Sequence, residues 1–260
     1  MSQDFNGLSR RQIISFSALA GGIGFVSPAF GQFGGLGKVA GVAKEAAAAQ
    51  SISDAELNAY FDQMTAESDR LNPVAGPKDP YGKRIAAISK GLATYDGMKL
   101  DIKAYKVTDI NAFSMGNGTV RIFSGLMDKF TDDEIRFVMG HEFGHVKLGH
   151  SKKRMQTALR ASALKKGASA VGGTVGRLAD SELGDLFKKV IEAQYSQGNE
   201  KEADDYAMTL MKAKGFAPMA CVTALDKLAT LNGEAGKSKL LATHPSSGER
   251  SKRMKAQLAA

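Results

Sequence analysis

The sequence predicts an α+β domain, mostly helical, with a small antiparallel sheet beside one helix that carries a cluster of histidines. Three observations predict it. Apolar residues recur at helical spacing in several separate stretches. Only two stretches read as strands, one by alternation of polar and apolar residues and one by a β-branched and aromatic run. The 260 residues, 43% hydrophobic and 24% charged, have the length and balance of one ordinary globular domain behind a leader, and no uncharged apolar run reaches the length of a membrane span.

Residues 1–31 have the pattern of an export signal. Ser9-Arg10-Arg11-Gln12-Ile13-Ile14 supplies a positive start, a Gly-rich apolar stretch runs to about Val26, and Ser27-Pro28-Ala29-Phe30-Gly31-Gln32 offers small residues for cleavage near Gly31. The paired arginines resemble a twin-arginine signal, although the general secretory route accepts the same residues. Either way the expected address is the periplasm. Gly21, Gly22, Gly24 and Pro28 weigh against the alternative, an N-terminal core helix. Residues 32–50, rich in Gly and Ala, read as a flexible lead-in.

Ser53 and Glu56 form a capping box that opens a helix to about Arg70, with Leu57, Tyr60, Phe61 and Met64 on its apolar face. Asn72 to Pro80, with three prolines and a glycine, is a loop, and a second helix is expected from Tyr81 to about Leu92. Lys99 to Val107 and Thr119 to Ser124 read as the two strands, with Gly116-Asn117-Gly118 as a turn between them. Thr131-Asp132-Asp133-Glu134 is a second capping box, its acids suited to a helix N-terminus, and Ile135, Val138, Phe143 and Val146 can hold that helix against the core. From Ser151 to about Asp185 the chain is rich in Lys, Ala and Gly, and Gly167, Gly172, Gly173 and Gly176 break any continuous helix. This predicts either a mobile, partly helical insertion able to cover a cleft or a bland surface excursion. A further helical stretch runs from about Leu186 to Lys214, closed by Gly215.

Three of the four histidines fall inside ten residues, as His141-Glu142-Phe143-Gly144-His145 and then His150. Histidines at i and i+4 on a helix share a face, so both imidazoles can reach one metal ion, and the glutamate beside the first can act as general base for a metal-activated water. The ion needs a third ligand. The stretch Ser196-Gln197-Gly198-Asn199-Glu200-Lys201-Glu202-Ala203-Asp204 offers Glu200 and Asp204, again at i and i+4. Glu200 would complete a His-His-Glu site with its fourth position open to water, as a catalytic zinc requires, one Zn2+ per chain. Asp204 could then accept the free ring N–H of His141 and fix its tautomer. Taken alone, the acidic cluster would read as a solvated helix face, and imidazole and carboxylate ligands accept other divalent ions too. His150, nine residues beyond His141, is expected at a helix end pointing away from the metal.

The single cysteine, Cys221, lies among Met219, Ala220, Val222 and Ala224 and reads as a small buried hydrophobe. It is far from the leader, so no lipid-acceptor cysteine is expected. The net charge of +8 is spread in pairs such as Lys152-Lys153, Lys165-Lys166 and Lys188-Lys189 with acids interleaved. Solvated surface is the expectation; peripheral contact with an anionic envelope membrane is compatible with the charge. Nucleic acid is not expected as a partner, since no recognition motif or aromatic interleaving accompanies the charge. No feature of the sequence fixes an oligomeric state.

Met139-Gly140-His141-Glu142-Phe143-Gly144-His145-Val146, then Asn199-Glu200-Lys201-Glu202-Ala203-Asp204, then His244-Pro245 followed by Arg250 together resemble the HtpX/CAAX-prenyl-endopeptidase family of gluzincin metallopeptidases, in particular its bacterial periplasmic members. The resemblance covers about Ser53 to Ala260 and implies a zincin-like metallopeptidase domain over residues 51–260. It places metal ligands at His141, His145 and Glu200 and the catalytic acid/base at Glu142. It also implies that His244 approaches the metal, either stabilising the oxyanion or occupying the open site as a gate. Two departures from relatives stand out: no tetratricopeptide repeats follow the His-Pro motif, and the body has no membrane span. The expected function is that of an exported zinc-dependent endopeptidase acting on misfolded or misassembled envelope proteins. The alternative is a metal-gated periplasmic chaperone or assembly factor with little proteolysis, against which an intact Glu142 argues. A structural zinc site is disfavoured because such sites are usually closed by four protein ligands, often cysteines. Substrate is expected to lie extended along Asn111-Ala112-Phe113 or Thr119 to Phe123, adding to a sheet edge.

Overall fold

The computed structural model describes residues 52–166, 180–232 and 239–259. The export signal (1–31), the lead-in (32–50) and Gly167, Gly172, Gly173 and Gly176 lie outside the described residues.

Helix α1 (Asp54–Leu71) starts at the expected capping box: Glu56 N donates to Ser53 Oγ at 3.2 Å while Ser53 N donates to Glu56 Oε2 at 2.9 Å. Helix α2 (Pro80–Ile88) has Pro80 in its first turn, where a missing N–H costs nothing, and is capped by Asp79. Three strands follow, β1 (Asp101–Tyr105), β2 (Ala112–Ser114) and β3 (Thr119–Phe123), in the order β1-β3-β2. The sheet is mixed where a wholly antiparallel one was expected. The turn at Gly116-Asn117-Gly118 closes a hairpin between β2 and β3, with Gly118 N donating to Met115 O at 3.0 Å. The chain has already reversed between Tyr105 and Ala112, so β1 lies parallel to β3, Asp101 opposite Thr119 and Tyr105 opposite Phe123.

A short helix α3 (Ser124–Lys129) leads into α4 (Asp132–Lys147), the histidine-bearing helix, which is buried along most of its length. Then come α5 (His150–Lys166), α6 (Asp180–Ile191), α7 (Gln197–Ala213), α8 (Ala220–Asn232), a one-turn α9 (Lys239–Thr243) and α10 (Ser247–Ala259). The helix expected from Leu186 to Lys214 is two helices. The chain breaks before Ser196, whose side chain accepts from Asn199 N and caps α7, and Tyr195 N donates to Thr243 O. No described helix is long and apolar enough to cross a membrane.

The main core joins α2, the sheet, α4, α7 and α8 through residues such as Ile88, Ile122, Phe143, Met211 and Leu225. Cys221 is fully buried in it, as expected. A second apolar cluster lies on the other side of the sheet, where Leu57, Phe61 and Met64 of α1 meet Phe113, Phe123, Met155 of α5, and Leu186 and Val190 of α6. The described ends of the 151–185 stretch thus contribute core residues. Helices α4 and α7 approach closely because small residues face each other; a Cβ at Gly144 would lie 2.9 Å from the Ala203 Cα.

Candidate metal centre

Helix α4 is fixed at its start by the second expected capping box, in which Thr131 N donates to Glu134 Oε2 at 2.8 Å and Glu134 N to Thr131 Oγ1 at 3.4 Å. One turn apart near its far end, His141 and His145 bring their Nε2 atoms to 3.0 Å. Helix α7, capped by Ser196, presents Glu200 and Asp204 to the same place. Glu200 Oε1 is 3.4 Å from His145 Nε2, and its Oε2 is 3.6 Å from His141 Nε2. His244, just after α9, places Nδ1 2.9 Å from Glu200 Oε1 and 3.1 Å from His141 Nε2. All four side chains are buried, and one ligand atom from each of His141, His145, Glu200 and His244 lies within 4.8 Å of the others.

This set fits a divalent ion on two grounds. Ligand atoms about 2.0–2.2 Å from a tetrahedral centre are separated from one another by roughly 3.3–3.6 Å, close to the spacing seen. The tautomers agree as well: His141 Nδ1 is 2.9 Å from Asp204 Oδ1, the contact expected of Asp204, so the ring proton sits there and the lone pair on Nε2 faces the cluster. An unshared electron pair crowded against a second imidazole nitrogen and a carboxylate calls for a cation between them.

Arg250 supplies the charge balance. Its Nε donates to Asp204 Oδ2 at 2.8 Å and its Nη2 to Asp204 Oδ1 at 2.6 Å, while Nη1 donates to Glu200 Oε2. Burial alone would favour neutral acids, but Arg250 holds Asp204 below its ordinary range, and the His244, His141 and His145 rings hold Glu200 far below its own. Burial likewise holds His145 well below the ordinary histidine value despite Glu200, which keeps it neutral and able to bind a metal.

Glu142 lies beside the cluster. Ser114 Oγ donates to its Oε2 at 2.7 Å. Its Oε1 is buried without a hydrogen-bond partner, 3.4 Å from His244 Nε2. A cavity of about 260 Å³ opens on this carboxylate and on His244, walled by Phe113, Phe123, Phe187 and Tyr195.

The structure therefore brings together His141, Glu142, His145, Glu200, Asp204 and His244, and sets His150, Tyr195, Ser114 and Arg250 against them. His150 was expected to point away. Instead, α4 ends at Lys147, Gly149 takes a positive φ of 73°, and α5 begins at His150, which turns its ring back so that Nδ1 lies 3.1 Å from His145 Nδ1. Tyr195 stacks on His145 with centroids 3.6 Å apart and planes 12° from parallel, and the Arg154 guanidinium carbon lies 3.9 Å from the Tyr195 ring centroid. Burial pushes the Tyr195 phenol up to about 12. Ser114 and Arg250 complete the set. His150 stood out in the sequence as the third clustered histidine and Arg250 entered through the family resemblance; a cation required by two buried acids is the physical signal for the latter. Ser114 lies on a strand too short to read, and Tyr195 in a break that looked like helix.

Comparison with known proteins agrees with this geometry. The model of "Peptidase family M48" matches residues 82–258. Metalloprotease LoiP of Escherichia coli (strain K12) is 41% identical over 217 residues, 83% of this chain and 86% of that protein. Metalloprotease YcaL of the same organism is 40% identical over 212 residues, 81% of this chain and 83% of that protein. The beta-barrel assembly-enhancing protease of Yersinia pestis is 30% identical over 152 residues, 52% of this chain but 30% of that longer protein. With a family match over most of its length and these two relatives, the chain belongs to peptidase family M48 and is a metalloendopeptidase.

Proposed function

We propose that this chain is an exported, zinc-dependent endopeptidase that hydrolyses peptide bonds of misfolded or misassembled envelope proteins. The observation that carries the catalytic reading is the unpartnered, buried Oε1 of Glu142 beside a cluster of three imidazoles and a carboxylate. His141, His145 and Glu200 would hold the ion, which when bound supplies a Lewis acid for the peptide carbonyl and acidifies water. Asp204 orients His141 through the ring N–H. Glu142 Oε1 takes the proton of the attacking water and returns it to the leaving amine, while Ser114 keeps Oε2 occupied so that Oε1 is the basic face. His244 takes the fourth place in the conformation described, which supports its reading as a gate; swung aside, its ring could donate to the oxyanion.

The periplasmic address rests on the signal pattern in residues 1–31, and the quality-control role on the name of the beta-barrel assembly-enhancing relative. Strand β2 lies at an edge of the sheet, so an extended peptide can add beside Asn111-Ala112-Phe113. Thr119 to Phe123 cannot receive it, because β3 is paired on both sides. The second reading, a chaperone with a closed site, is favoured by one observation, the His244 ring in the fourth place.

Metal content by mass spectrometry of the mature protein, with casein cleavage by wild type, Glu142→Gln and His244→Ala, tests the proposal. One zinc per chain with cleavage abolished in Glu142→Gln is the expected result, with faster cleavage by His244→Ala if the ring gates. Bound zinc without cleavage by wild type or His244→Ala would support the chaperone reading, and absence of metal would remove the site.

A further inference from the structure

We propose that His150 and Glu202 form a relay that fixes the tautomer of His145 and so presents its Nε2 to the metal, making Glu202 a positioning residue reached from solvent. The inference rests on the metal-site reading above. It starts from two contacts that the reading does not use: His145 Nδ1 to His150 Nδ1 at 3.1 Å, and His150 Nε2 to Glu202 Oε2 at 2.9 Å.

Two facing ring nitrogens can hydrogen-bond only if one of them carries the proton. Suppose His145 carries it. Its Nε2, which faces His141 and Glu200, then has its lone pair free for a metal. His150 accepts at Nδ1, so its own proton must be on Nε2, where the Glu202 carboxylate accepts it. Every atom in the chain has a role. Suppose instead that a neutral His150 carries the proton on Nδ1. The His145 proton is then forced onto Nε2, which points into the cluster and cannot ligate. The His150 Nε2 lone pair is left against the Glu202 carboxylate, which is repulsive. The negative end at Glu202 therefore selects the tautomer two rings away.

The site thus has two imidazole supports of different construction. His141 leans directly on Asp204, which is fully buried and clamped by Arg250. His145 leans on Glu202 through an intervening ring, and the Glu202 side chain is 61% exposed. Carboxylate support of a ligating histidine typically changes metal affinity by about 10–100-fold when removed, and a solvated carboxylate acting through one more ring should fall below that range.

The experiment compares zinc affinity, by competition with a chromophoric chelator, for the full chain and for Glu202→Ala, Glu202→Gln and His150→Phe. His150→Phe should lose about 10–100-fold. Glu202→Ala should lose several-fold, and Glu202→Gln, whose amide oxygen still accepts, should stay near wild type. The metal-free proteins provide the structural control: Glu202→Ala should melt with wild type, since an exposed carboxylate contributes little to packing. Long-range proton–nitrogen NMR of the zinc-bound protein should find protons on His145 Nδ1 and His150 Nε2. Unchanged zinc affinity in both Glu202→Ala and His150→Phe, or a proton on His150 Nδ1, would overturn the relay while leaving the metal site standing. Wild type that binds no zinc would overturn both.

Discussion

Arg250 bears on the centre without being able to ligate anything in it. Its guanidinium spans Glu200 and Asp204, both buried, and its removal would leave two buried carboxylates without their cation. Breaking a buried ion pair by deleting one partner costs about 3–5 kcal/mol, so Arg250→Ala should lower the thermal midpoint and the zinc affinity together. Arg250→Lys should rescue only part, because a lysine cannot reproduce the bidentate fork on Asp204. Paired melting and chelator titrations read both effects. Glu142→Gln is the contrasting case. Glu142 contributes no atom to the four-ligand cluster, so zinc binding should hold within a few-fold while turnover falls by about 10²–10⁴. At this scale the meeting of His141 with His145 was legible because helical spacing puts them on one face, and that of Glu142 with them because it adjoins the first histidine. Ser114 was not, because its role depends on strand β2 crossing over α4, a contact between residues 28 apart in sequence.

The site is assembled by a helix pair rather than by any one segment. Helix α4 brings two imidazoles and α7 brings two carboxylates, and their separation is set by Gly140 and Gly144 against Ala207 and Ala203. A methyl group at Gly144 would lie 2.9 Å from the Ala203 Cα, so the helices would have to part. Overpacking of this kind costs about 1–3 kcal/mol. Gly144→Ala should therefore destabilise the fold and also move Glu200 away from His145, with zinc affinity falling more than the packing loss alone would require. Chelator competition beside denaturant unfolding separates the two, and an affinity equal to wild type would show that α7 does not set ligand spacing. Of the two helix starts only that of α4 was readable, from Thr131 with Glu134; the helix expected from Leu186 begins, as α7, only at Gln197. The break between α6 and α7 was not readable, since apolar periodicity continues through it. What stops the helix is tertiary: Tyr195 N pairs with Thr243 O and the ring lies flat on His145.

Across the whole molecule, the sheet separates two apolar clusters, and the cavity beside Glu142 is walled partly by side chains of the second one. That cluster depends on α1 staying against the sheet. A buried polar tie helps to hold it there: Arg121 of β3 is fully buried, donates to both carboxylate oxygens of Asp69 at 2.8 and 2.9 Å, and also reaches Asp101, while the Tyr105 hydroxyl donates to Asp69 at 2.6 Å. Periodicity revealed α1 and its apolar face but not this tie, because nothing local distinguishes Asp69 from the other acids of a solvated helix end. Burial would raise the Asp69 carboxyl, but hydrogen bonds from Arg121 and Tyr105 outweigh it and hold the group below its ordinary value. A carboxyl depressed on folding contributes stability that is present above its unfolded value near 4 and is lost as pH falls through the folded value. Asp69→Asn should accordingly destabilise by on the order of 1–3 kcal/mol at neutral pH, and the gap from wild type should close as the pH is lowered below about 4. Denaturant unfolding of both proteins across pH 3 to 8 reads this directly. If the gap instead stayed constant with pH, the contribution of Asp69 would be packing and not charge, and α1 would be held by its apolar face alone.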